Sequence, residues 1–204
     1  MTHPGKLIAV EGIDGAGTTT QSGLLVEELR RRGHDVVLTA EPSGTAITAR
    51  LREWMKSEDV PPHDLLLCFC ADRAIHLHET ILPALQRGAL VVCDRYTLST
   101  LAYQSLDNDP ALVRSLCHLH PAPDLTVILN PPISLAAERV RSRRLLPDRY
   151  ERSAALQFHA ATMYRDENNW RGPTVLLDTE HGTLMEQHDS ILKALDLKVP
   201  WCAK

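Results

Sequence analysis

The chain has 204 residues, of which 44% are hydrophobic and 24% are charged, enough for one folded domain with a substantial core. Its 22 Lys and Arg residues and 26 Asp and Glu residues give a net charge of −4, which argues against nucleic acid or an anionic membrane as a partner. The apolar runs are far shorter than the roughly 20 residues of a bilayer span, and the N-terminal residues lack the pattern of a secretory signal. We therefore expect a single domain over residues 1–204 in the cytoplasm.

Short runs of β-branched and aliphatic residues alternate along the chain with segments of helical periodicity. Strands are predicted at 7–10, 36–39, 90–93, 125–129 and 175–177. Helices are predicted at 18–32, 46–56, 62–86, 99–106, 111–118, 133–143, 153–170 and 184–195. This alternation is typical of an α/β fold, so we predict a three-layer domain whose parallel five-stranded sheet carries helices on both faces.

A glycine-rich segment, Glu11-Gly-Ile-Asp-Gly-Ala-Gly-Thr-Thr-Thr20, connects the first strand to the first helix. It fits the phosphate-binding pattern G-x-x-x-x-G-K-[ST], except that Thr18 stands at the lysine position. In such a turn the backbone N–H groups converge on phosphate oxygens at the positive end of the helix dipole. The alternative is a glycine-rich connection that only packs tightly. The residues predicted to bind the phosphates are Gly12, Ile13, Asp14, Gly15, Ala16, Gly17, Thr18, Thr19 and Thr20.

Polar residues follow the second and third predicted strands, in Glu41-Pro-Ser-Gly-Thr45 and Cys93-Asp94-Arg95-Tyr96. Ligands of open parallel sheets lie beyond the carboxyl ends of the strands. An acid that faces a phosphate loop from such an end is suited to Mg²⁺, and an adjacent guanidinium is suited to phosphate. We therefore predict catalytic roles for Asp94 and Arg95, with a solvated ion pair at a strand exit as the alternative.

Taken together, these motifs resemble those of thymidylate kinases, which transfer the γ-phosphoryl group of ATP to dTMP. The resemblance runs from about residue 6 to residue 195. It rests on the strings EGIDGAGTTTQ from Glu11, EPSGT from Glu41, FCADRAIH from Phe69, DRYTLSTLAYQ from Asp94 and DRYE from Asp148. It implies a P-loop NTPase fold with a lid segment, ATP as phosphate donor, Mg²⁺ as cofactor, dTMP as substrate and a homodimer.

The resemblance also implies which residues surround the base of the substrate. Phe69 would stack on the thymine ring, and Arg73, one helical turn later on the same face, would reach the base. The alternative for Phe69 is a place in the hydrophobic core. His76 and His78 in the same segment are interpreted as surface or core polar residues. The other residues predicted to line the base pocket are Thr100 and Gln104.

For the sugar, the phosphate and the metal, the resemblance implies a second set of residues. Tyr103 would crowd the 2′ position and favour a deoxyribose, while Asp14 would accept the 3′-hydroxyl or arrange the metal shell. Arg52 and Arg95 would hold the phosphate of dTMP. The full predicted acceptor set is Asp14, Glu41, Arg52, Phe69, Arg73, Arg95, Thr100, Tyr103 and Gln104. The predicted metal ligands are Thr19, Glu41 and Asp94.

A cluster of arginines follows the fourth predicted strand, at Arg139, Arg141, Arg143, Arg144 and Arg149. Such a run is often only a solvated helix face, but in thymidylate kinases this region resembles a lid that closes over ATP. We place the lid at about residues 141–150. Because the lysine of the loop ordinarily brings positive charge to the transferred phosphate, we predict that other arginines replace it. The predicted catalytic set is Asp94, Arg95, Arg141, Arg143 and Arg144.

Three further positions depart from the usual residues of that family. Ala40 stands where Arg is usual, Ser43 where Gly is usual, and Asn130 where Asp is usual. Together with Thr18 they leave two alternatives open beside a dTMP kinase. One is a kinase for another or a modified deoxypyrimidine monophosphate, and the other is a nucleotide-binding protein without transferase activity.

Overall fold

The computed structural model describes residues 4–57, 59–143 and 149–199. Its strands are β1 (Lys6–Gly12), β2 (Val36–Ala40), β3 (Leu90–Asp94), β4 (Leu125–Asn130) and β5 (Thr174–Asp178). They form a five-stranded sheet in the order β2-β3-β1-β4-β5, and every neighbouring pair is parallel. The predicted α/β fold with a parallel five-stranded sheet is therefore confirmed.

Each helix predicted from the sequence coincides, at least in part, with helical structure in the described ranges. The helices are α1 (Thr18–Arg31), α2 (Thr48–Trp54), α3 (Pro62–His76), α4 (Leu82–Gln86), α5 (Thr97–Gln104), α6 (Pro110–His118), α7 (Ile133–Ser142), α8 (Arg149–Arg152), α9 (Ala154–Arg165) and α10 (Leu184–Lys198). A π-helical turn, Leu77–Ile81, joins α3 to α4, so the predicted helix at 62–86 is helical throughout. The predicted helix at 153–170 ends earlier, because the Asp166 side chain caps the 3₁₀ turn Glu167–Asn169. None of the described helices combines the length and the apolar character needed to cross a bilayer.

The central strands are buried on both faces, which explains their nearly continuous apolar sequence. Alternate residues of β1 and β3 enter different cores. Ile8, Val10 and Val92 belong to one buried cluster, whereas Leu7, Ala9 and Val91 belong to the other. The sheet is therefore the middle layer of three, as predicted.

The carboxyl ends of β2, β3 and β1 meet at one edge of this sheet, where the backbone continues the strand pairing. The N–H of Glu41 donates to the carbonyl of Asp94 at 3.0 Å, and the N–H of Arg95 donates to the carbonyl of Val10 at 2.9 Å. These bonds bring the phosphate-binding segment together with the two polar strand ends. The prediction of a single domain over residues 1–204 extends beyond the described ranges and stays a prediction.

Candidate active site

The glycine-rich segment forms a tight turn between β1 and α1. Gly15 and Gly17 have φ values of 85° and 98°, in the left-handed region that favours glycine. A Cβ atom on Gly15 would lie 2.2 Å from the carbonyl oxygen of Ala136 in α7. No described side chain caps the start of α1, which leaves the first N–H groups of this helix to bind an anion. The turn therefore has the geometry of a phosphate-binding loop.

Two of the three predicted metal ligands lie together beside this loop. The Thr19 hydroxyl donates to Asp94 Oδ2 at 2.6 Å. The other carboxylate oxygen, Asp94 Oδ1, is buried and has no hydrogen-bond partner among the described residues. Oxygen ligands of this kind suit Mg²⁺, so Thr19 and Asp94 fit the predicted metal.

The structure does not support the metal-binding role predicted for Glu41, because the carboxylate bonds other groups. Glu41 Oε2 accepts from Arg73 Nε at 2.8 Å and from Arg73 Nη2, and Oε1 lies 3.1 Å from His76 Nδ1. Glu41, His76 and Cys93 do place three potential ligand atoms within 4.8 Å of one another. However, the guanidinium already neutralises the carboxylate, and burial raises the pKa of the Cys93 thiol well above its ordinary value. This group is therefore a hydrogen-bond network that holds Arg73.

Arg95 joins the phosphate loop to an adjacent cavity. Its Nη1 donates to the carbonyl of Gly12 at 2.8 Å, and its Nη2 donates to Asp14 Oδ1 at 2.7 Å. The guanidinium also lies over the Tyr103 ring, 5.4 Å from its centroid. Arg95 has a φ of 69°, and no other non-glycine residue in the described ranges has a positive φ. Such strained backbone is common at functional sites.

The cavity has a volume of about 740 Å³, including the part open to solvent. It is lined by eight of the nine residues predicted for the acceptor: Asp14, Glu41, Phe69, Arg73, Arg95, Thr100, Tyr103 and Gln104. The ninth, Arg52, is exposed on α2 and does not line the cavity, so its role stays a prediction. The half-buried ring of Phe69 and the ring of Tyr103 each meet Tyr150 edge to face, with centroids 6.4 Å and 6.0 Å apart. We call this aromatic-lined part of the cavity the slot, and aromatic side chains commonly line ligand pockets.

Arg73 also lines this cavity and carries a hydrogen-bond donor that is not fully satisfied by the described residues. Its side chain is 2% exposed, and Nη2 donates to Thr100 Oγ1 at 2.7 Å. The remaining amino group, Nη1, is buried and has no partner among the described residues. Burial acts against the charge of Arg73, but Glu41 keeps the pKa of this guanidinium above its ordinary value. A buried cationic donor without a partner is costly, so an acceptor atom of a ligand would stabilise it.

Two residues outside the predicted set, Gln157 and Tyr150, form hydrogen bonds with residues of that set. Gln157 Nε2 donates to Asp14 Oδ2 at 2.7 Å, and the Asp14 N–H points at Tyr103 Oη and Gln157 Oε1, at 2.9 Å and 3.2 Å. The Tyr150 hydroxyl accepts from Gln104 Nε2 at 3.0 Å. Tyr150 lies in the DRYE string that carries the resemblance, so a sequence signal existed for it. Gln157 is an isolated polar residue of α9, and no local pattern marks it.

Glu11 lies directly beneath the phosphate loop and is 0% exposed. Its Oε1 accepts from the backbone N–H groups of Tyr96 and Ser99 at 2.9 Å and 3.3 Å, and its Oε2 accepts from the hydroxyls of Ser99 and Tyr164. Burial raises the pKa of this carboxyl group. Glu11 thus connects β1 to α5 and α9 at the base of the site.

Among the described arginines that follow β4, Arg139 contacts the phosphate loop, and it lies outside the predicted catalytic set. Arg139 Nη1 donates to the carbonyl of Gly15 at 3.4 Å. Arg141 is exposed, and Arg143 Nη1 lies 3.5 Å from Glu151 Oε1. Arg144 lies outside the described residues, as does Asp148. The catalytic roles of Arg141, Arg143 and Arg144 stay predictions.

Comparison with known proteins agrees with this geometry. A sequence model of the family described as thymidylate kinase matches residues 10–191. The thymidylate kinase of Thermomicrobium roseum is 36% identical over 198 residues, which are 88% of this chain and 94% of that protein. That of Thiobacillus denitrificans is 42% identical over 164 residues, covering 78% of this chain and 79% of that protein. That of a Synechococcus strain is 43% identical over 158 residues, or 74% of each chain.

The chain belongs to the thymidylate kinase family. This membership confirms the predicted P-loop fold and the predicted class of enzyme, a phosphotransferase that uses ATP and Mg²⁺. Two of the departures from the usual family residues take part in local hydrogen bonds. Asn130 Oδ1 accepts from Arg165 Nε at 2.9 Å, and the N–H of Ser43 donates to Asp72 Oδ2 at 2.9 Å. Nothing in the structure explains Ala40.

The close approach of Gly15 to α7 gives a direct test of the phosphate loop in this thymidylate kinase family member. We expect Gly15→Ala to weaken ATP binding at least about tenfold, because the new Cβ collides with the carbonyl of Ala136 and the backbone disfavours a side chain. Isothermal titration calorimetry measures the loss. Gly23→Ala is the matched control, because a Cβ on Gly23 in α1 meets nothing within 4 Å. Equal ATP affinity in both variants would contradict the assignment of this turn.

Proposed function

We propose that the chain catalyses the ATP-dependent phosphorylation of dTMP to dTDP. The observation that carries this proposal is the position of Arg95, which contacts the phosphate loop at Gly12 and also lines the cavity. A guanidinium at this point is suited to bind the acceptor phosphate next to the donor phosphates. The relatives named thymidylate kinase support the same assignment.

The cavity has chemistry that suits a pyrimidine deoxynucleotide. The half-buried Phe69 ring lines the slot. It is therefore available to stack on a base, whereas a ring that only filled the hydrophobic core would not be. Arg73 Nη1 is available to donate to a carbonyl oxygen of thymine. The Tyr103 hydroxyl accepts from the backbone N–H of Asp14, which supports the proposed role of this ring in excluding a ribose 2′-hydroxyl.

Transfer between two phosphates demands little covalent chemistry from the protein. The acceptor oxygen of dTMP is already ionised, so no general base is needed, and catalysis consists of alignment and charge neutralisation. The N–H groups of the loop bind the donor, and Arg95 orients the acceptor. Mg²⁺ held by Thr19 and Asp94 would neutralise the phosphate oxygens when bound.

Thr18 raises the question of which groups replace the loop lysine. Thr18 is buried and carries no charge, so the positive charge near the transferred phosphate must come from elsewhere. Arg139 is half-buried and already contacts the loop at Gly15. We propose that Arg139 acts with Arg95 and the predicted lid arginines in this role, so that the chain is an active kinase.

A homodimer in the cytoplasm is part of the same proposal. Helix α3 carries apolar side chains that face away from the core, and we call them the α3 stripe. Leu67 and Ala71 of this stripe are exposed, and Ala74 and Ile75 are half-buried. These residues recur at helical spacing on one face. Leu38 of the edge strand β2 is also exposed, by 46%. A second copy of the chain would cover this apolar area.

The two phenylalanines of the chain provide a matched pair of variants for the base site. We expect Phe69→Ala to raise KM for dTMP about tenfold to a hundredfold, because base stacking on an aromatic ring contributes about 1–3 kcal/mol. Phe158→Ala is the control, because this ring is 67% exposed on α9. Coupled ADP-release assays measure both. The proposed acceptor is wrong if dUMP or another monophosphate is a better substrate than dTMP, or if dTMP binds with ATP but no ADP forms.

A second set of variants tests the replacement of the lysine. We expect Arg139→Ala to lower kcat about a hundredfold, with similar losses for Arg143→Ala or Arg144→Ala, because each removes a cation that stabilises the transferred phosphate. Arg31→Ala serves as the control, because this side chain is 75% exposed at the end of α1. Steady-state kinetics at saturating ATP and dTMP provide the comparison. Unchanged turnover in all three lid-region variants would rule out the compensation.

A charged side chain introduced into the α3 stripe tests whether this surface forms the dimer interface. We expect the wild-type chain to sediment at about twice its 22.7 kDa mass, and Leu67→Glu to shift it to the monomer because a carboxylate cannot be buried in an apolar interface. Leu119→Glu is the control, because Leu119 is 75% exposed and lies outside the stripe. A wild-type monomer, or a Leu67→Glu dimer, would contradict the proposed interface.

A further inference from the structure

A buried histidine lies behind the cavity and does not line it. His76, at the end of α3, is 1% exposed and is hydrogen-bonded through both ring nitrogens. Nε2 lies 2.6 Å from the Thr39 hydroxyl of β2, and Nδ1 lies 3.1 Å from Glu41 Oε1. His76 therefore connects the edge strand to the carboxylate that holds Arg73.

The contact with Glu41 assigns one proton of His76. A carboxylate oxygen only accepts, so Nδ1 must carry the proton in the bond to Glu41. Nε2 shares a second hydrogen bond with the Thr39 hydroxyl. Both ring nitrogens therefore have a partner, and the charges of Glu41 and Arg73 balance each other.

The orientation of Arg73 depends on this arrangement. Glu41 Oε2 accepts from two nitrogens of Arg73, and the direction of that carboxylate is set by what holds its other oxygen. Thr100 Oγ1 accepts a hydrogen bond from one further N–H of the guanidinium. Only Nη1 is left without a partner in the described residues, so the direction in which Arg73 offers its remaining donor is determined by His76 acting through Glu41.

We propose that His76, supported by Thr39, is a positioning residue that sets the specificity of the base site for a pyrimidine with a carbonyl oxygen at ring position 4. A fixed donor favours a carbonyl at that position and disfavours an amino group, because two donors facing each other leave both unpaired. This inference rests on the proposed function, and it adds a residue that contacts neither substrate.

Two amide variants separate the two bonds of His76. The amide of His76→Asn reaches the place of Nδ1 and keeps a donor for Glu41, whereas that of His76→Gln reaches the place of Nε2 and loses this donor. We expect His76→Gln to reduce the ratio of kcat/KM for dTMP to that for dCMP about tenfold or more, through a higher KM for dTMP with kcat within about threefold. His76→Asn should keep the ratio within about threefold of the wild type.

His188→Gln is the control for a buried histidine, because His188 is 4% exposed on α10 and lies outside the site. The inference is overturned if His76→Gln keeps the wild-type ratio, if His76→Asn loses as much selectivity as His76→Gln, or if His188→Gln shows the same loss. Should His76→Gln fail to fold, His76→Leu replaces it, because leucine also lacks a donor for Glu41. A reduced ratio in His76→Leu supports the inference, and an unchanged ratio overturns it.

A spectroscopic measurement distinguishes this inference from the proposed function. The Nε–H signal of Arg73, assigned by its absence in Arg73→Lys, should exchange slowly with water in the ligand-free wild-type protein and fast in His76→Gln or His76→Leu. If the wild-type chain does not phosphorylate dTMP, the proposed function fails, and the exchange rate still decides whether His76 positions Arg73. Equal exchange in the wild type and the variants overturns the role of His76.

Discussion

The buried carboxylate of Glu11 is the constraint on which the geometry of the site depends. It is the penultimate residue of the central strand β1, and it accepts two backbone N–H groups at the start of α5. A buried carboxylate is tolerated only where its oxygens are satisfied, so the loop and α5 cannot separate without a large cost. Because α5 carries Thr100, Tyr103 and Gln104, the donor and acceptor sites are held in one rigid frame.

The acceptor side is attached to this frame through two adjacent residues of α3. Asp72 accepts from the Ser43 N–H and from the hydroxyls of Thr45 and Thr48, while Arg73 pairs with Glu41. One helical turn thereby holds the whole segment after β2. Within the described ranges, the edge strand β2 has no strand neighbour on its outer side, so these side-chain bonds supply order that strand pairing does not.

Much of the fold followed from local sequence patterns, whereas the side-chain network did not. The alternation of apolar strands with helices predicts the parallel sheet, and three glycines within six residues predict the loop, because both depend on neighbouring residues. Glu41 shows what this reasoning misses. Its place after a buried strand indicates a metal ligand, yet Arg73, 32 residues later, uses the same carboxylate. Gln157 binds Asp14 from 143 residues away, and His76 carries no local sign of its role.

The departure at Thr18 shows how such a network permits a change at a central position. Thr18 is buried at the start of α1, next to Thr19, whose hydroxyl donates to Asp94. Arg95 is anchored by Gly12 and Asp14, and Arg139 approaches the loop from α7. Two cations therefore face the loop from elements other than α1. Because electrostatic stabilisation of a phosphate depends on where charge lies and not on which helix carries it, the fold can lose the lysine and still present positive charge to the transferred group.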